Sequence, residues 1–197
     1  MVNCDEEILF IALLLLNTSI VFGQKADSSA SVKVKTKNVN GTVMTSAKDI
    51  IENLSSSPEF TKLINAIKTA DLTDNFKSGT ITFFAPTNSA FDKLTPGMLD
   101  TLLLPAHKAE LVNLLDHHVV SGKITSKDLD LQIKAGNGQA TLTTISGGTL
   151  TARINENRNI VLIDENGGQS VITRLDIEQS NGMLFIVNAV LLPKAKQ

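Results

Sequence analysis

The spacing of apolar residues changes near Lys134. Before this point, apolar residues recur at helical intervals, and several segments open with helix-start signals such as Ser57-Pro58, Thr95-Pro96 and Pro105. After it, short apolar runs alternate with glycine- and asparagine-rich turns, which indicates strands at residues 140–145, 149–154, 160–164, 170–175 and 183–192. Helices first and strands later predict an α+β fold.

One strand is predicted much earlier, at residues 80–85, and the chain turns sharply after it. Pro86 has no N–H to donate, so the strand cannot continue through it. Thr87 and Asn88 are both good N-cap residues, so we expect one of them to cap a short helix that carries Phe91 into the core. This strand has to pair with strands from the end of the chain.

Three further local patterns lead to specific expectations. Ser46 with Asp49, and Thr125 with Asp128, resemble capping boxes at helix starts. A short helix is expected at residues 71–76. His118 continues an apolar stripe in the helix before it, so we expect its ring to be buried and to join the helix end to the sheet through hydrogen bonds at both nitrogens.

The N-terminal residues suggest export. The apolar run at residues 8–16 is shorter than a membrane-spanning helix needs, and a signal peptide cleaved after Gly23 fits it, although acidic residues 5–7 are unusual there. A retained membrane anchor is the alternative. We expect a signal peptide at 1–23, a polar tail at 24–45 with at most one strand near 31–35, a domain at 46–193 and a C-terminal tail at 194–197. The mature protein would be secreted, periplasmic or displayed at the cell surface.

Composition narrows the choice of partners. The formal net charge is −2 and there is no basic cluster, so nucleic acid is excluded as an expected partner. Cys4 would leave with the signal peptide, so no disulfide or thiolate site is expected in the mature chain. Asn40 and Asn53 each begin a glycosylation sequon, which matters only in a host that glycosylates.

Three segments together resemble the conserved boxes of the fasciclin domain: residues 82–91, 115–122 and 180–193. Single-domain exported bacterial members of that family are the most similar in organisation. The resemblance implies a β-sandwich wedge of mainly antiparallel strands with several helices packed around it. The residues that carry it as a structural signature are Phe84, Ala85, Pro86, Thr87, Asn88, Phe91, His118, Asn181 and Gly182.

The chain also departs from the family pattern. His117 stands where the family usually has Tyr, Ser121 where Pro is common, Phe185 where His is frequent and Asn188 where Asp is frequent. In animal adhesion members, an Asp-Ile pair before the closing box carries integrin recognition. Asp176 and Ile177 align with that pair, but their neighbours differ.

Two interpretations of Asp176 and Ile177 follow. The resemblance implies that they recognise a partner, with Asp176 as an exposed carboxylate at an edge. From the residues alone, an ordinary strand pair with Ile inward and Asp outward fits as well.

No catalytic, metal-binding or cofactor-binding pattern is expected. His117 and His118 are adjacent, so their side chains point in different directions and would not share a metal ion. The predicted function is therefore a non-enzymatic, exported interaction module, acting in cell adhesion or in surface or matrix association through an extracellular or envelope protein or polymer. The alternative is a carrier that encloses a hydrophobic pigment or lipid near Phe83, Phe84, Phe91 and the helix at 111–115.

Overall fold

The structure is a computed structural model that describes residues 33–194. The expected signal peptide, the first part of the polar tail and the last three residues lie outside this range. Within residues 33–194, no helix has both the length and the apolar character needed to cross a membrane.

The strands, in chain order, are β1 Thr36–Val39, β2 Thr42–Thr45, β3 Ile81–Pro86, β4 Val119–Ser121, β5 Gln139–Thr143, β6 Thr149–Ile154, β7 Ile160–Ile163, β8 Gln169–Gln179 and β9 Gly182–Val187. Strands β3 to β9 form the main sheet, in the order β4-β3-β9-β8-β7-β6-β5. Every neighbouring pair in it is antiparallel except β3 and β9, which run parallel with Ile81 opposite Gly182. A bridge between Val120 and Thr144 brings the two ends of the sheet together, so the sheet curls into a near-barrel wedge.

Six α-helices of the described chain pack around this sheet: α1 Ile50–Ser55, α2 Thr61–Thr69, α3 Asn88–Phe91, α4 Met98–Leu102, α5 Lys108–Asp116 and α6 Ser126–Ala135. Short 3-10 turns precede α2 and α5 at Pro58–Phe60 and Pro105–His107. The predicted α+β class, with mainly antiparallel strands and helices packed around them, is confirmed.

Several predicted helix starts are right and others are displaced. Ser57 caps the turn at Pro58, and Thr125 forms the predicted capping box with Asp128. The first capping box, in contrast, joins Asp49 to Glu52 rather than Ser46 to Asp49, because the helix itself starts at Ile50. Helix α4 starts at Met98, after Gly97 in a left-handed conformation, instead of directly after Thr95-Pro96.

The helix expected at residues 71–76 is absent, and the segment forms turns. Asp71 has a positive φ of 57°, which ends the helical path after α2. Phe76 nevertheless reaches the core, where its ring centroid lies 5.3 Å from that of Phe83. Tertiary packing, rather than a helix, therefore holds this segment.

The second half of the segment expected to be a polar tail forms a β-hairpin. Its strands are β1 Thr36–Val39 and β2 Thr42–Thr45, joined at Asn40-Gly41, both with positive φ. Val39 and Met44 are buried in the core next to the helices. The folded body therefore begins before residue 46, because Val39 and Met44 suffice to anchor a hairpin whose third apolar residue, Val43, is exposed.

Strand β3 divides the core into two parts. All six of its residues are buried, and successive side chains point to opposite faces. Phe83 and Ala85 face the cluster formed with α1, α2 and α5, whereas Phe84 stacks on Phe185 at 5.5 Å in the cluster formed with the later strands and α6. Phe83, Phe84 and Phe91 therefore pack within the protein core, which leaves only the helix at 111–115 from the location expected for a hydrophobic ligand.

Candidate functional site

The first signature segment forms a corner between β3 and two helices. Thr87 is the N-cap of α3 and accepts a hydrogen bond from the Ala90 N–H at 3.3 Å. Asn88 instead accepts from the Lys62 N–H at 3.0 Å and donates to the Pro58 carbonyl at 2.9 Å. The two predicted cap candidates thus have different roles, and both serve the fold.

His118 is buried and joins α5 to the segment after β9. Its Nδ1 donates to the Leu114 carbonyl at 2.8 Å, and the Leu191 N–H donates to its Nε2 at 3.0 Å. These contacts assign the proton of the neutral ring to Nδ1. Burial lowers the pKa of His118 from 6.5 to about 4. The sequence-based expectation of a buried ring bonded at both nitrogens is confirmed.

Asn181 and Gly182 secure the crossing of α1, β3 and β9. Asn181 accepts from the Ile50 N–H at 3.0 Å and donates to the Phe76 carbonyl at 2.8 Å. Gly182 has a φ of +151°, and a Cβ atom there would lie 1.8 Å from the carbonyl oxygen of Ile81. Only glycine fits this position, so the pair contributes to chain packing.

The two sequon asparagines have different environments. The Asn53 side chain is fully buried, donates to the Thr45 carbonyl at 2.9 Å and accepts from the Thr45 N–H at 3.1 Å. A glycan on Asn53 is therefore incompatible with this structure. Asn40 lies exposed at the tip of the hairpin.

Asp176 and Ile177 lie in an irregular part of β8, where its pairing with β9 shifts between Arg174 and Ile177. Strand β8 lies between β7 and β9 in the order of the sheet, but β7 pairs only with its residues 169–171. Within residues 33–194, no strand therefore pairs with that side of β8 at Asp176 and Ile177, which agrees with the expected edge position. Ile177 points inward and is only 1% exposed. Asp176 has a positive φ of 53°, a conformation that Asp adopts more readily than most residues.

The Asp176 carboxylate binds the start of α6. It accepts from the Ser126 N–H at 2.7 Å and from the Ser126 hydroxyl. A carboxylate at this position stabilises the partial positive charge of a helix N-terminus. Asp176 is half-buried. Its hydrogen bonds to Ser126 stabilise the fold, so only part of the carboxylate is available to a partner.

A charged cleft of about 530 Å³ lies between this bulge and the N-terminal hairpin and is lined by residues of both. Glu178 is bound by Lys35 at 2.5 Å and by Lys123, and hydrogen bonds from Lys123 and Lys35 lower its pKa. The third lysine of the cleft, Lys37, donates to the Leu175 carbonyl. We call this feature the charged cleft; its charged side chains are Lys35, Lys37, Lys123, Asp176 and Glu178.

An apolar groove of about 620 Å³ lies on another face, between α4, α5 and residues 192–194. Its apolar lining is Met98, Leu102, Ala109, Leu114 and Leu192. The segment that forms one wall is fixed, because Leu192 donates its N–H to Asp164 at 2.9 Å and accepts from Asn166 at 3.0 Å. Of the location expected from the sequence for a hydrophobic ligand, only the helix at 111–115 contributes to this groove, through Asn113 and Leu114. Sequence reasoning missed the other lining residues, since they resemble ordinary core positions.

Metal ligands are not clustered in this part of the chain: residues 33–194 contain no group of three or more His, Cys, Asp or Glu side chains that could hold a metal ion.

Comparisons with known proteins agree with the fold. The model of the fasciclin domain matches residues 58–193. Protein sll1483 of Synechocystis is 31% identical over 179 residues, which cover 89% of this chain and 92% of that protein. The cell surface glycolipoprotein MPB83 of Mycobacterium bovis is 26% identical over 162 residues, or 79% of this chain and 66% of that protein.

Among solved structures, the FAS1 domain pair of the insect cell adhesion molecule Fasciclin I superposes with a TM-score of 0.65. The match covers 81% of this chain and 66% of that chain at 16% identity, so it concerns the fold alone. With the family-model match over 58–193 and the similarity along most of the cyanobacterial protein, the chain belongs to the fasciclin domain family.

Proposed function

We propose that this protein is an exported, non-enzymatic interaction module that binds an extracellular or envelope protein or polymer and acts in adhesion or surface association. The observation that carries the proposal is the charged cleft, which lies around the residues that align with the family's recognition pair. The names of two similar proteins, a cell adhesion molecule and a cell surface glycolipoprotein, support the same setting.

The cleft suits polar recognition. Ile177 is buried, so a partner would contact the lysine and carboxylate groups around Asp176 rather than an apolar side chain. Contacts between exposed charges are individually weak, typically about 0–1 kcal/mol. Useful binding therefore requires many copies of the module, on a surface or in a polymer, acting together.

A multivalent binding assay tests this proposal. The protein, purified from its host and coupled to beads, is offered to host cells, envelope fragments and matrix polymers. The variant Lys37→Glu with Lys123→Glu reverses two charges of the cleft, and Lys68→Glu with Lys77→Glu reverses two exposed charges elsewhere. We expect loss of binding for the first pair only. Equal binding by both pairs, or none by the unmodified protein, contradicts the proposal.

The second candidate function is transport of a hydrophobic small molecule, and the apolar groove favours it. Its volume of about 620 Å³ falls within the usual range for small-molecule sites, roughly 300–1,000 Å³. Extraction of the protein from its native source with organic solvent tests this function. A pigment or lipid recovered in a fixed ratio to protein supports it, and repeatedly empty protein contradicts it.

A further inference from the structure

A second, polar depression adjoins the apolar groove. Its volume is about 270 Å³, and it is lined on its far side by Ser146, Gly147, Gly148 and Glu165. Asn113, Pro193 and Lys194 line both this depression and the apolar groove. The two therefore form one continuous surface feature with an apolar length and a polar end.

His117 lies directly behind the polar depression. Its ring is fully buried, and Nδ1 is 3.4 Å from the Ser146 hydroxyl and 3.5 Å from the Thr144 hydroxyl, which are long contacts. Nε2 has no hydrogen-bond partner among the described residues. A buried polar atom without a partner is costly and uncommon. The edge of the ring that faces Gly148 and the depression is the Nδ1 edge.

Gly148 keeps the space between His117 and Glu165 open. A Cβ atom at this position would lie 2.8 Å from Nδ1 of His117 and 3.2 Å from Oε2 of Glu165. The backbone at Gly148 does not require a positive φ, so conformation alone does not explain the glycine. Any larger residue would narrow the polar end of the feature.

The charged lining residues are Glu165 and Lys194 at the polar end and Glu110 in the groove, so carboxylates outnumber ammonium groups and favour a hydroxyl group over a carboxylate. Glu165 accepts from the Lys194 N–H at 3.3 Å and the Thr149 N–H at 3.2 Å. Although partial burial raises the pKa of Glu165, these hydrogen bonds outweigh that effect and lower it overall, so the group stays ionised. It would accept a hydrogen bond from a hydroxyl and repel an anion. The Ser146 hydroxyl lies 2.9 Å from Oγ1 of Thr144, whose own proton goes to the Gly148 carbonyl, so Ser146 has to turn its proton away from Thr144 to donate to a ligand.

We propose that the apolar groove and the polar depression together bind one elongated apolar molecule that carries a hydroxyl group at one end. The apolar body lies along Met98, Leu102 and Leu114, and the hydroxyl group reaches Ser146 and Glu165. This inference rests on the carrier function proposed above and adds the chemical class of its ligand. It is independent of the charged cleft and of adhesion.

Equilibrium binding of three radiolabelled probes with the same carbon chain tests the inference: dodecanol, dodecanoic acid and dodecane. The protein is the full chain, purified from its host and stripped of lipid. We expect dodecanol to bind about tenfold more tightly than dodecane, since one or two added hydrogen bonds are worth about 1.4 kcal/mol together. Dodecanoic acid should bind more weakly than dodecanol.

Matched variants locate the bound probe. Ala109 is an exposed residue of the groove lining, so Ala109→Phe fills the groove and should weaken all three probes by about tenfold. Ala106 is also exposed but lies outside the lining, and Ala106→Phe should leave the affinity for all three probes unchanged. Ser146→Ala and Gly148→Ala should reduce the affinity for dodecanol to that for dodecane.

Each contrary result has a distinct meaning. Equal affinity for dodecanol and dodecane, with Ala109→Phe weakening both, overturns the hydroxyl assignment but leaves the carrier function standing. Probe binding that Ala109→Phe does not affect places the ligand elsewhere and overturns the inference. No binding of any probe contradicts the inference and the carrier function together. Dimerisation that Ala109→Phe abolishes would assign the groove to a second copy of the chain.

Discussion

The backbone N–H of Leu191 donates a hydrogen bond of 3.0 Å to Nε2 of His118, a residue 73 positions earlier in the chain. The same ring returns its Nδ1 proton to Leu114, so one imidazole satisfies a carbonyl near the end of α5 and an N–H after β9. This bridge holds the C-terminal segment that forms one wall of the apolar groove.

Replacing His118 by Ala should lower the free energy of unfolding by about 1–3 kcal/mol, because the change leaves two buried backbone groups unpaired and opens a cavity. Chemical denaturation measures this. His107→Ala is the control, since that histidine is partly exposed and bonds only to nearby Glu110, and it should shift stability by less than about 0.5 kcal/mol. An unchanged midpoint for His118→Ala would be incompatible with the bridge.

Stability should fall as pH decreases from 6.5 towards 4. The folded state lowers the pKa of His118 to about 4, so in this window the unfolded chain binds a proton that the folded chain does not. The loss is about 3 kcal/mol for a shift of this size, and burial lowers the pKa of His117 in the same direction. Denaturation curves at several pH values measure it. His118→Ala should flatten the pH dependence, and an equally steep dependence in that variant would assign the effect to other groups.

Gly182→Ala should prevent folding or destabilise the protein by more than about 3 kcal/mol, because its Cβ would meet the Ile81 carbonyl oxygen at 1.8 Å. The matched control is Gly41→Ala, at a positive φ of 90° but with open space around it, which should cost about 1 kcal/mol from backbone strain alone. Thermal unfolding compares the two. Similar losses of stability in both variants would mean that backbone strain, and not the close approach of β3 and β9, explains the need for glycine at position 182.

Asp176→Ala should lower the free energy of unfolding by about 1–3 kcal/mol, since it removes the hydrogen bonds to Ser126 at the N-terminus of α6. Asp176→Asn should cost less, because Asn accepts similar bonds and also tolerates a positive φ. Chemical denaturation of both variants and of Ser126→Ala tests the assignment. If Asp176→Ala retains full stability but loses partner binding, the carboxylate serves recognition rather than the helix.

Local signals in the sequence were sufficient for much of the fold. These signals act within a few residues, so their effects can be predicted without the rest of the chain. They are the prolines Pro58 and Pro86, the capping pair Thr125 and Asp128, and the turns between the late strands. Strand β6 was predicted with the observed bounds, 149–154, for this reason. The resemblance to the fasciclin family then added the architecture, a wedge of mainly antiparallel strands with helices around it, but not the order of the strands or the parallel pairing of β3 and β9.

The sequence by itself therefore determined the class of the fold, its family and the structural character of His118, Asn181 and Gly182. Tertiary structure alone decided that the N-terminal hairpin belongs to the folded body, that Asn53 is buried, and that Asp176 binds the start of α6 fifty positions earlier. It also decided where the apolar groove runs, because its walls come from α4, α5 and the C-terminal segment. These features depend on contacts between distant residues, which no local pattern of apolar and polar positions encodes.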